Sequence, residues 1–334
     1  MIGKLLQKRL TYLEKIGKKQ AMRKAGQLGE HFVVKVLMYA FLISVSFVLL
    51  YPLLYCISMA FRSSDDMYDP NVIWVPLHFT LENITTIWEK IEFPKLFGNT
   101  VLLCVGSALL QVVICAVTGY GFARFQFREK GIWMLVLILT VILPPQIASI
   151  PNYFMMKKFD VFGIIGLIEN LSGYIFEIKL LDTVWAYFLP AVFGMGLRSG
   201  LFILIFRQFF RGLPHELEDS SYVDGAGPLR TFLKVMVPNC RAAVVVVFLF
   251  SLVWYWNDTY YGFMYMEEME TISMRLSQIS ADISQLLPNM VGDPTQGVPY
   301  VQAGVLLSIL PLLILYLVCQ KVFVESVERV GIVG

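Results

Sequence analysis

The sequence predicts an all-α integral membrane protein with six transmembrane helices, and three observations carry this prediction. First, the 334 residues are 57% hydrophobic and only 16% charged, whereas a soluble domain averages roughly 25% charged residues. Second, charge is missing from long blocks, each able to cross a hydrocarbon core of roughly 30 Å as a helix. Third, Lys and Arg concentrate in alternate segments between the blocks. The small net charge of +2 predicts no nucleic-acid partner.

Six apolar blocks define the predicted spans. Four of them carry no charged residue, and two are interrupted by one ionisable residue each, Arg198 and Asp258. In chain order the blocks cover residues 36–61, 96–123, 131–156, 183–206, 242–266 and 294–320. They divide the chain into a basic N-terminal segment of residues 1–35, a transmembrane domain of residues 36–324 and a tail of residues 325–334. Membrane lipid is therefore the first expected partner.

The distribution of charge orients the chain in the membrane. Segments 1–35, 124–130, 207–241 and 320–334 hold 19 Lys and Arg residues, whereas the three alternate segments hold 7. Because positive charge marks the cytoplasmic side, these four segments are predicted to be cytoplasmic. An even number of spans then places both termini in the cytoplasm. The basic amphipathic pattern near the N-terminus suits either contact with the anionic inner leaflet or a simple topogenic tail.

The sequence shows no arrangement of residues typical of an enzyme. The five cysteines lie in or beside apolar blocks at no metal-ligand spacing, and none of the three histidines lies inside a span. We therefore predict no metal site, no disulfide and no catalytic residue. The Gly-x-x-x-x-Gly-Lys-Ser/Thr phosphate loop is also missing, so this chain cannot hydrolyse ATP by itself. A secondary transporter is an alternative, although such proteins normally have repeated halves.

The predicted cytoplasmic loop of residues 207–240 has the punctuation of two short helices. Pro214 suits the first turn of a helix. Glu216, Glu218 and Asp219 follow in that turn, where the helix dipole favours anions. Gly225 suits the left-handed residue that ends this helix, and a second short helix is predicted before the next span. The loop is either an ordinary structured connection or a docking site for another protein.

The same loop resembles the EAA loop of binding-protein-dependent ABC importer permeases. The resemblance rests on Pro214-x-Glu216-Leu217-x-Asp219-Ser220-Ser221-x-x-Asp224-Gly225-Ala226. The Asp-Gly-Ala element agrees with the family, whereas Asp-Ser-Ser stands where the family has Glu-Ala-Ala. Landmarks spread over about residues 36–324 resemble the carbohydrate branch, of the maltose system's G type: Asn99-Thr100, Gly119 to Arg124, Pro144-Pro145 and Trp256-Asn257-Asp258.

The resemblance implies the type I ABC importer permease arrangement and the import of a carbohydrate, with an oligosaccharide as the expected cargo. It implies alternating access, in which an extracellular solute-binding protein delivers the sugar to a heterodimer of this chain and a related permease in the plasma membrane. Two separate ATPase subunits bind ATP and Mg²⁺, and no cofactor is expected on this chain. A permease for a non-sugar solute is the alternative within the family.

Two sets of site residues follow. The resemblance assigns ATPase coupling to the loop residues Pro214, Glu216, Leu217, Asp219, Ser220, Ser221, Asp224, Gly225 and Ala226. Ionisable residues inside spans usually face the bundle interior or a water-filled path. We therefore predict that Arg198 and Asp258, with Trp256 and Asn257, line the translocation path or its gate. A structural ion pair or a snorkelling side chain is the plain alternative. The predicted outer stretch 157–183 is longer than the family pattern and suits either a contact or a variable loop.

Overall fold

The computed structural model is all-helical and describes residues 32–69, 71–160, 163–172, 178–286 and 294–331. Most of the predicted basic N-terminal segment lies outside the described residues. The chain divides into two compact units at Ser58. The first unit contains nearly all of helix α1 (Phe32–Ala60), whose 29 residues have a mean hydropathy that suits a membrane span.

The second unit, Met59–Gly334, is a bundle of helices joined by short turns. Its helices are α2 (Glu82–Lys90), α3 (Phe93–Arg124), α4 (Lys130–Ile142), α5 (Ser149–Lys157), α6 (Ile164–Ser172), α7 (Trp185–Val192), α8 (Ser199–Gly212), α9 (Glu216–Val223), α10 (Pro228–Thr231), α11 (Val237–Asn239), α12 (Arg241–Trp256), α13 (Tyr260–Tyr265), α14 (Ile272–Leu286) and α15 (Val298–Gly331). A π-helical turn, Phe232–Met236, joins α10 to α11.

Helix α3 is the centre of this bundle. It packs against α7, α8 and α12, and half of its apolar window is buried. On α8, a stripe of Phe202, Phe206 and Phe210 is fully buried, because residues four apart share one helix face. Tyr120 of α3 meets Phe210 and Phe232 in ring contacts, which makes this aromatic cluster the core beneath the predicted coupling loop.

The structure interrupts three of the six predicted spans. By length and composition, α1, α3 and residues Val298–Lys321 of α15 are each able to cross a membrane, and the number rises to five if two bent helix pairs each count as one span. The predicted span 131–156 bends by 100° between α4 and α5, at Pro144-Pro145, where a helix cannot continue. The predicted span 242–266 is divided into α12 and α13.

The predicted span 183–206 is corrected to two helices, α7 and α8, separated by residues 193–198. Gly194 and Arg198 have left-handed backbone angles, with φ of 70° and 59°, and these end α7 and start α8. Gly196 has no room for a Cβ atom, because the Tyr255 hydroxyl lies against it. The glycines thus allow an irregular backbone to pass through the apolar bundle.

A polar cluster satisfies the backbone at this break. The Gln111 side-chain amide donates to the carbonyl of Leu197 at 2.6 Å and to the Ser199 hydroxyl at 2.8 Å. The Ser251 hydroxyl donates to the Gln111 carbonyl oxygen at 2.6 Å, and the Leu197 N–H donates to the Tyr255 hydroxyl at 3.3 Å. Since hydrocarbon offers no hydrogen-bond partners, non-helical backbone is tolerated in a membrane only where protein supplies them.

A carboxylate–imidazole pair fixes the segment between α1 and α2. Asp66 is almost fully buried and accepts hydrogen bonds from the His78 N–H at 2.8 Å and from the His78 ring at 2.7 Å. Burial would raise the pKa of Asp66, but these hydrogen bonds outweigh it and lower the pKa. The hydrogen bond and the charge of Asp66 raise the pKa of His78. The two groups are therefore oppositely charged at any pH above the pKa of Asp66 and below the pKa of His78.

Substitution of Gly119 tests the close approach of α3 and α8. A Cβ atom there would lie 2.6 Å from the Phe206 Cβ and 3.0 Å from the backbone of Ile203 and Arg207. We expect Gly119→Ala to lower the thermal unfolding midpoint of the purified protein, because overpacking typically costs about 1–3 kcal/mol. The matched control is Gly121→Ala on the same helix, where a Cβ meets nothing within 4 Å. Equal midpoints for the two variants would contradict the packing described here.

Candidate functional site

The loop after α8 has the two short helices that the sequence predicts. Helix α8 continues to Gly212, so the loop proper begins at Leu213 and not at residue 207. Helix α9 follows Pro214 and His215, and Gly225 ends it with a φ of 77°. The N–H groups of Gly225 and Ala226 donate to carbonyls of the last turn of α9 at 3.0 Å. This left-handed ending aims α10 back towards the bundle.

Helix α9 has one buried and one exposed face. Glu218 and Ser221 are buried, and the Ser221 hydroxyl lies 2.9 Å from the Thr231 hydroxyl of α10. The acidic residues Glu216 and Asp219 are exposed. Of the predicted coupling residues, Ser221 therefore holds the two loop helices together, whereas the two carboxylates are available to another protein.

Glu218, which sequence reasoning placed only in the acidic first turn, is the buried anchor of the loop. Its carboxylate lies 3.2 Å from the Arg124 Nε in an ion pair whose side chains are 4% and 8% exposed. The Tyr120 hydroxyl donates to the other carboxylate oxygen at 2.6 Å. Arg124 also donates to the carbonyl of Leu213 at 2.7 Å. The residues Gly119 to Arg124, noted as a sequence landmark, thus end α3 at the predicted coupling loop.

Exposed apolar side chains also lie at the end of α9 and on the helical segment that follows it. Val223 at the end of α9 is 88% exposed, and Leu229 of α10 is 71% exposed. Leu233, one turn further, is also exposed. We call the set Glu216, Asp219, Val223, Leu229 and Leu233 the docking surface. Exposed apolar groups rimmed by charge are typical of a protein-interaction site.

The four predicted path residues separate into two pairs. Arg198 and Asn257 are exposed on one face of the bundle. The Arg198 guanidinium carbon lies 4.5 Å from the centre of the Trp254 ring, and Asn257 follows Trp254 by three residues on the same side of α12. Among the described residues, Arg198 forms no ion pair, and its guanidinium lies over the face of the Trp254 ring in a cation–π contact.

The other two predicted path residues point into the bundle. Trp256 is 4% exposed. The Asp258 carboxylate accepts a hydrogen bond from the Tyr187 hydroxyl at 2.6 Å and one from the Tyr261 N–H at 3.3 Å. Asp258 therefore fastens the start of α13 to α7. This geometry suits a structural hinge between α12 and α13 better than direct contact with a solute.

A second anchored loop, residues 266–271, lies at the opposite end of α3. One oxygen of Asp182 accepts three consecutive backbone N–H groups, those of residues 267–269, at 2.9–3.1 Å. Asn99 donates to the carbonyl of Glu270 at 3.0 Å, and the Ile272 N–H donates to Thr100 at 2.9 Å. The landmark Asn99-Thr100 thus holds a distant loop, while Asp182 carried no signal in the sequence.

The helical breaks and the docking surface together define a class of protein. A bundle of apolar helices with irregular breaks is typical of transport proteins, since such breaks line solute paths in membranes. The docking surface lies at one end of the bundle, and exposed apolar groups of this kind are typical of protein-interaction sites. The chain is thus an integral, multi-pass membrane protein of the transporter class.

The comparisons with known proteins identify the family. Residues 113–329 match the model of the binding-protein-dependent transport system inner membrane component, and the chain belongs to this family. Its members are permeases of ABC transporters, which are non-catalytic membrane subunits. The chain is 26% identical to the probable ABC transporter permease protein YurM of Bacillus subtilis, over 95% of this chain and 93% of the relative.

The chain also resembles a second relative in sequence and a solved structure in fold. The chain is 25% identical to the diacetylchitobiose uptake system permease protein NgcG of Streptomyces coelicolor, over 87% of this chain and 86% of the relative. The fold is similar to a chain in the crystal structure of a bacterial ABC transporter involved in the import of the acidic polysaccharide alginate. That match has a TM-score of 0.66 at 18% identity and covers 86% of this chain and 96% of the other.

Substitution of Asp182 tests the anchoring of the 266–271 loop. Asp182→Ala removes the acceptor of three N–H groups, and it places alanine at a φ of 61°. We expect hydrogen exchange at residues 267–269 to accelerate at least tenfold, since each unpaired N–H opens more readily. Asp182→Asn is the matched control, because it keeps a carbonyl acceptor and tolerates the left-handed conformation. Unchanged exchange in Asp182→Ala would show that the loop is held by other contacts.

Proposed function

We propose that this chain is a permease subunit of an ABC importer that moves a carbohydrate, an oligosaccharide in particular, into the cytoplasm. The proposal adopts the type I importer arrangement in the plasma membrane, with both termini cytoplasmic. Family membership supports the role of permease subunit. Uptake of diacetylchitobiose by one similar protein and import of alginate by another support the carbohydrate cargo.

The docking surface supports the proposal that separate ATPases drive this permease. Two ATPase subunits, which bind ATP and Mg²⁺, close on ATP and move the loop helices. The carboxylates of Glu216 and Asp219 face basic groups of the ATPase, and Val223, Leu229 and Leu233 fill an apolar cleft. This pairing of charge with exposed apolar area matches the anatomy of protein interfaces.

The face that carries Arg198, Trp254 and Asn257 is proposed to line the path shared with a second, related permease. A charge at mid-membrane costs at least roughly 2.5–3.5 kcal/mol against lipid, so Arg198 is expected to face water or the partner chain. An indole ring beside an amide and a guanidinium offers stacking and hydrogen bonds to a sugar. Asp258 and Trp256 act behind this face, at the hinge between α12 and α13.

An extracellular solute-binding protein completes the proposed system. It delivers the sugar to the side of the bundle opposite the docking surface, where the 266–271 loop lies. Alternating access then opens the shared path first to that side and next to the cytoplasm.

The docking proposal is tested by Asp219→Lys and Gly225→Val in the complete importer. The first variant reverses an exposed charge, and the second strains a left-handed residue that sets the angle between the loop helices. We expect both to reduce co-purification of the ATPase and sugar uptake at least tenfold. Glu129→Lys is the control, since it reverses an exposed charge outside the docking surface. Wild-type uptake with both loop variants would refute docking at this loop.

The second-permease proposal is tested by expressing this chain with its ATPase and binding protein but without the second permease. We expect uptake of labelled oligosaccharides to disappear, because one bundle of this kind supplies only half of the path. Asn257→Ala in the complete importer is expected to raise the KM for uptake. Full uptake without the second permease would indicate a homodimer, and an unchanged KM would remove Asn257 from the path. Uptake of non-sugar solutes alone would overturn the carbohydrate proposal.

A further inference from the structure

We propose that Arg124 and Glu218 are positioning residues that join α9 to α3, so that α3 carries the movement of the docking surface across the membrane to the 266–271 loop. The inference rests on the proposed function. It concerns how the two ends of this one chain are connected.

A buried ion pair makes a strong connection between α3 and α9. Both side chains of the Arg124–Glu218 pair are less than a tenth exposed, and removal of one partner would leave an uncompensated buried charge. The Tyr120 hydroxyl, the carbonyl of Leu213 and the His215 ring also contact this pair. The end of α3 therefore holds both α9 and the chain that enters it, and α9 cannot tilt without moving α3.

Helix α3 itself is stiff. It is one helix of 32 residues, and its only proline, Pro94, lies in the first turn, where proline does not break a helix. From Asn99 to Arg124 the helix is about 37 Å long at 1.5 Å per residue. Gln111 fastens its middle to α8 and α12. Movement at Arg124 is thus transmitted along a rigid element.

The opposite end of α3 is connected to the 266–271 loop. Asn99 and Thr100 bind the backbone of Glu270 and Ile272 directly, and Asp182 fixes the preceding residues 267–269. Displacement of α3 must therefore move this loop or break these hydrogen bonds. The chain contains a continuous path of polar contacts and one helix between the docking surface and the opposite side of the bundle.

The test uses the complete importer with Glu218→Gln and Arg124→Gln. We expect the ATPase to co-purify and ATP hydrolysis to stay within about twofold of wild type, while sugar molecules transported per ATP fall at least fivefold. Arg128→Gln is the matched control, because Arg128 is an exposed cation four residues beyond Arg124. If transport and hydrolysis fall in proportion, the pair has a merely structural role and the proposal is overturned. Wild-type values of both rates would also overturn it.

A milder variant keeps the test decisive if these substitutions prevent assembly. Tyr120→Phe removes only the hydroxyl that donates to Glu218, and we expect it to lower the transport-to-hydrolysis ratio two- to threefold. Arg124→Lys keeps the charge and is expected to restore most of the ratio lost in Arg124→Gln. Wild-type ratios in Tyr120→Phe, or no recovery in Arg124→Lys, would refute the positioning role.

A probe at the far end distinguishes transmission from stability. In a Glu268→Cys background, we expect addition of ATP to change the rate of labelling by a membrane-impermeant thiol reagent, and Glu218→Gln to abolish that change. A persistent change in Glu218→Gln would overturn the proposal while leaving the importer function intact. Failure of the wild-type importer to transport any sugar would instead refute the proposed function.

Discussion

The rest of this structure depends on the requirement that each backbone N–H and C=O inside a membrane finds a partner within the protein. Residues 193–198 cannot meet this requirement through helical hydrogen bonds, because there the chain leaves a helix in the middle of an apolar bundle. The amide of Gln111 resolves it by bonding to Leu197, Ser199 and Ser251 together. The same contacts fix α8 against α3, and α8 leads directly into the coupling loop.

The unusual Asp-Ser-Ser sequence of the loop is compatible with the structure, because each added hydroxyl has a local acceptor or partner. The Ser220 hydroxyl donates to the carbonyl of Leu217 in its own helix at 3.2 Å. The Ser221 hydroxyl meets Thr231. Ser221 therefore keeps the close packing of α9 against α10, since a buried hydroxyl is tolerated when hydrogen-bonded, while Ser220 lies on the exposed face of α9.

The sequence predicted those features that depend on nearby residues. Long charge-free blocks, the two loop helices and the left-handed Gly225 follow from hydropathy and backbone sterics, which act locally. The break at residues 193–198 was not predicted, because its partner Gln111 lies 86 residues away from Leu197. The buried state of Glu218 was missed for a similar reason, since a carboxylate in a first helical turn is also typical of an exposed helix start. Asp182 depends wholly on tertiary contacts.

The Gln111 contacts also impose an order on biosynthesis. The ribosome adds Gln111 140 residues before Ser251. At roughly 5–20 residues per second, its amide spends on the order of ten seconds in or near the bilayer before its last partner is made. During this interval the unpaired Gln111 oxygen is costly in hydrocarbon, which favours temporary polar contacts. The centre of the bundle therefore closes late, only after α12 has emerged. Truncation of the nascent chain before that point yields a bundle whose central Gln111 oxygen lacks the Ser251 hydroxyl that donates to it.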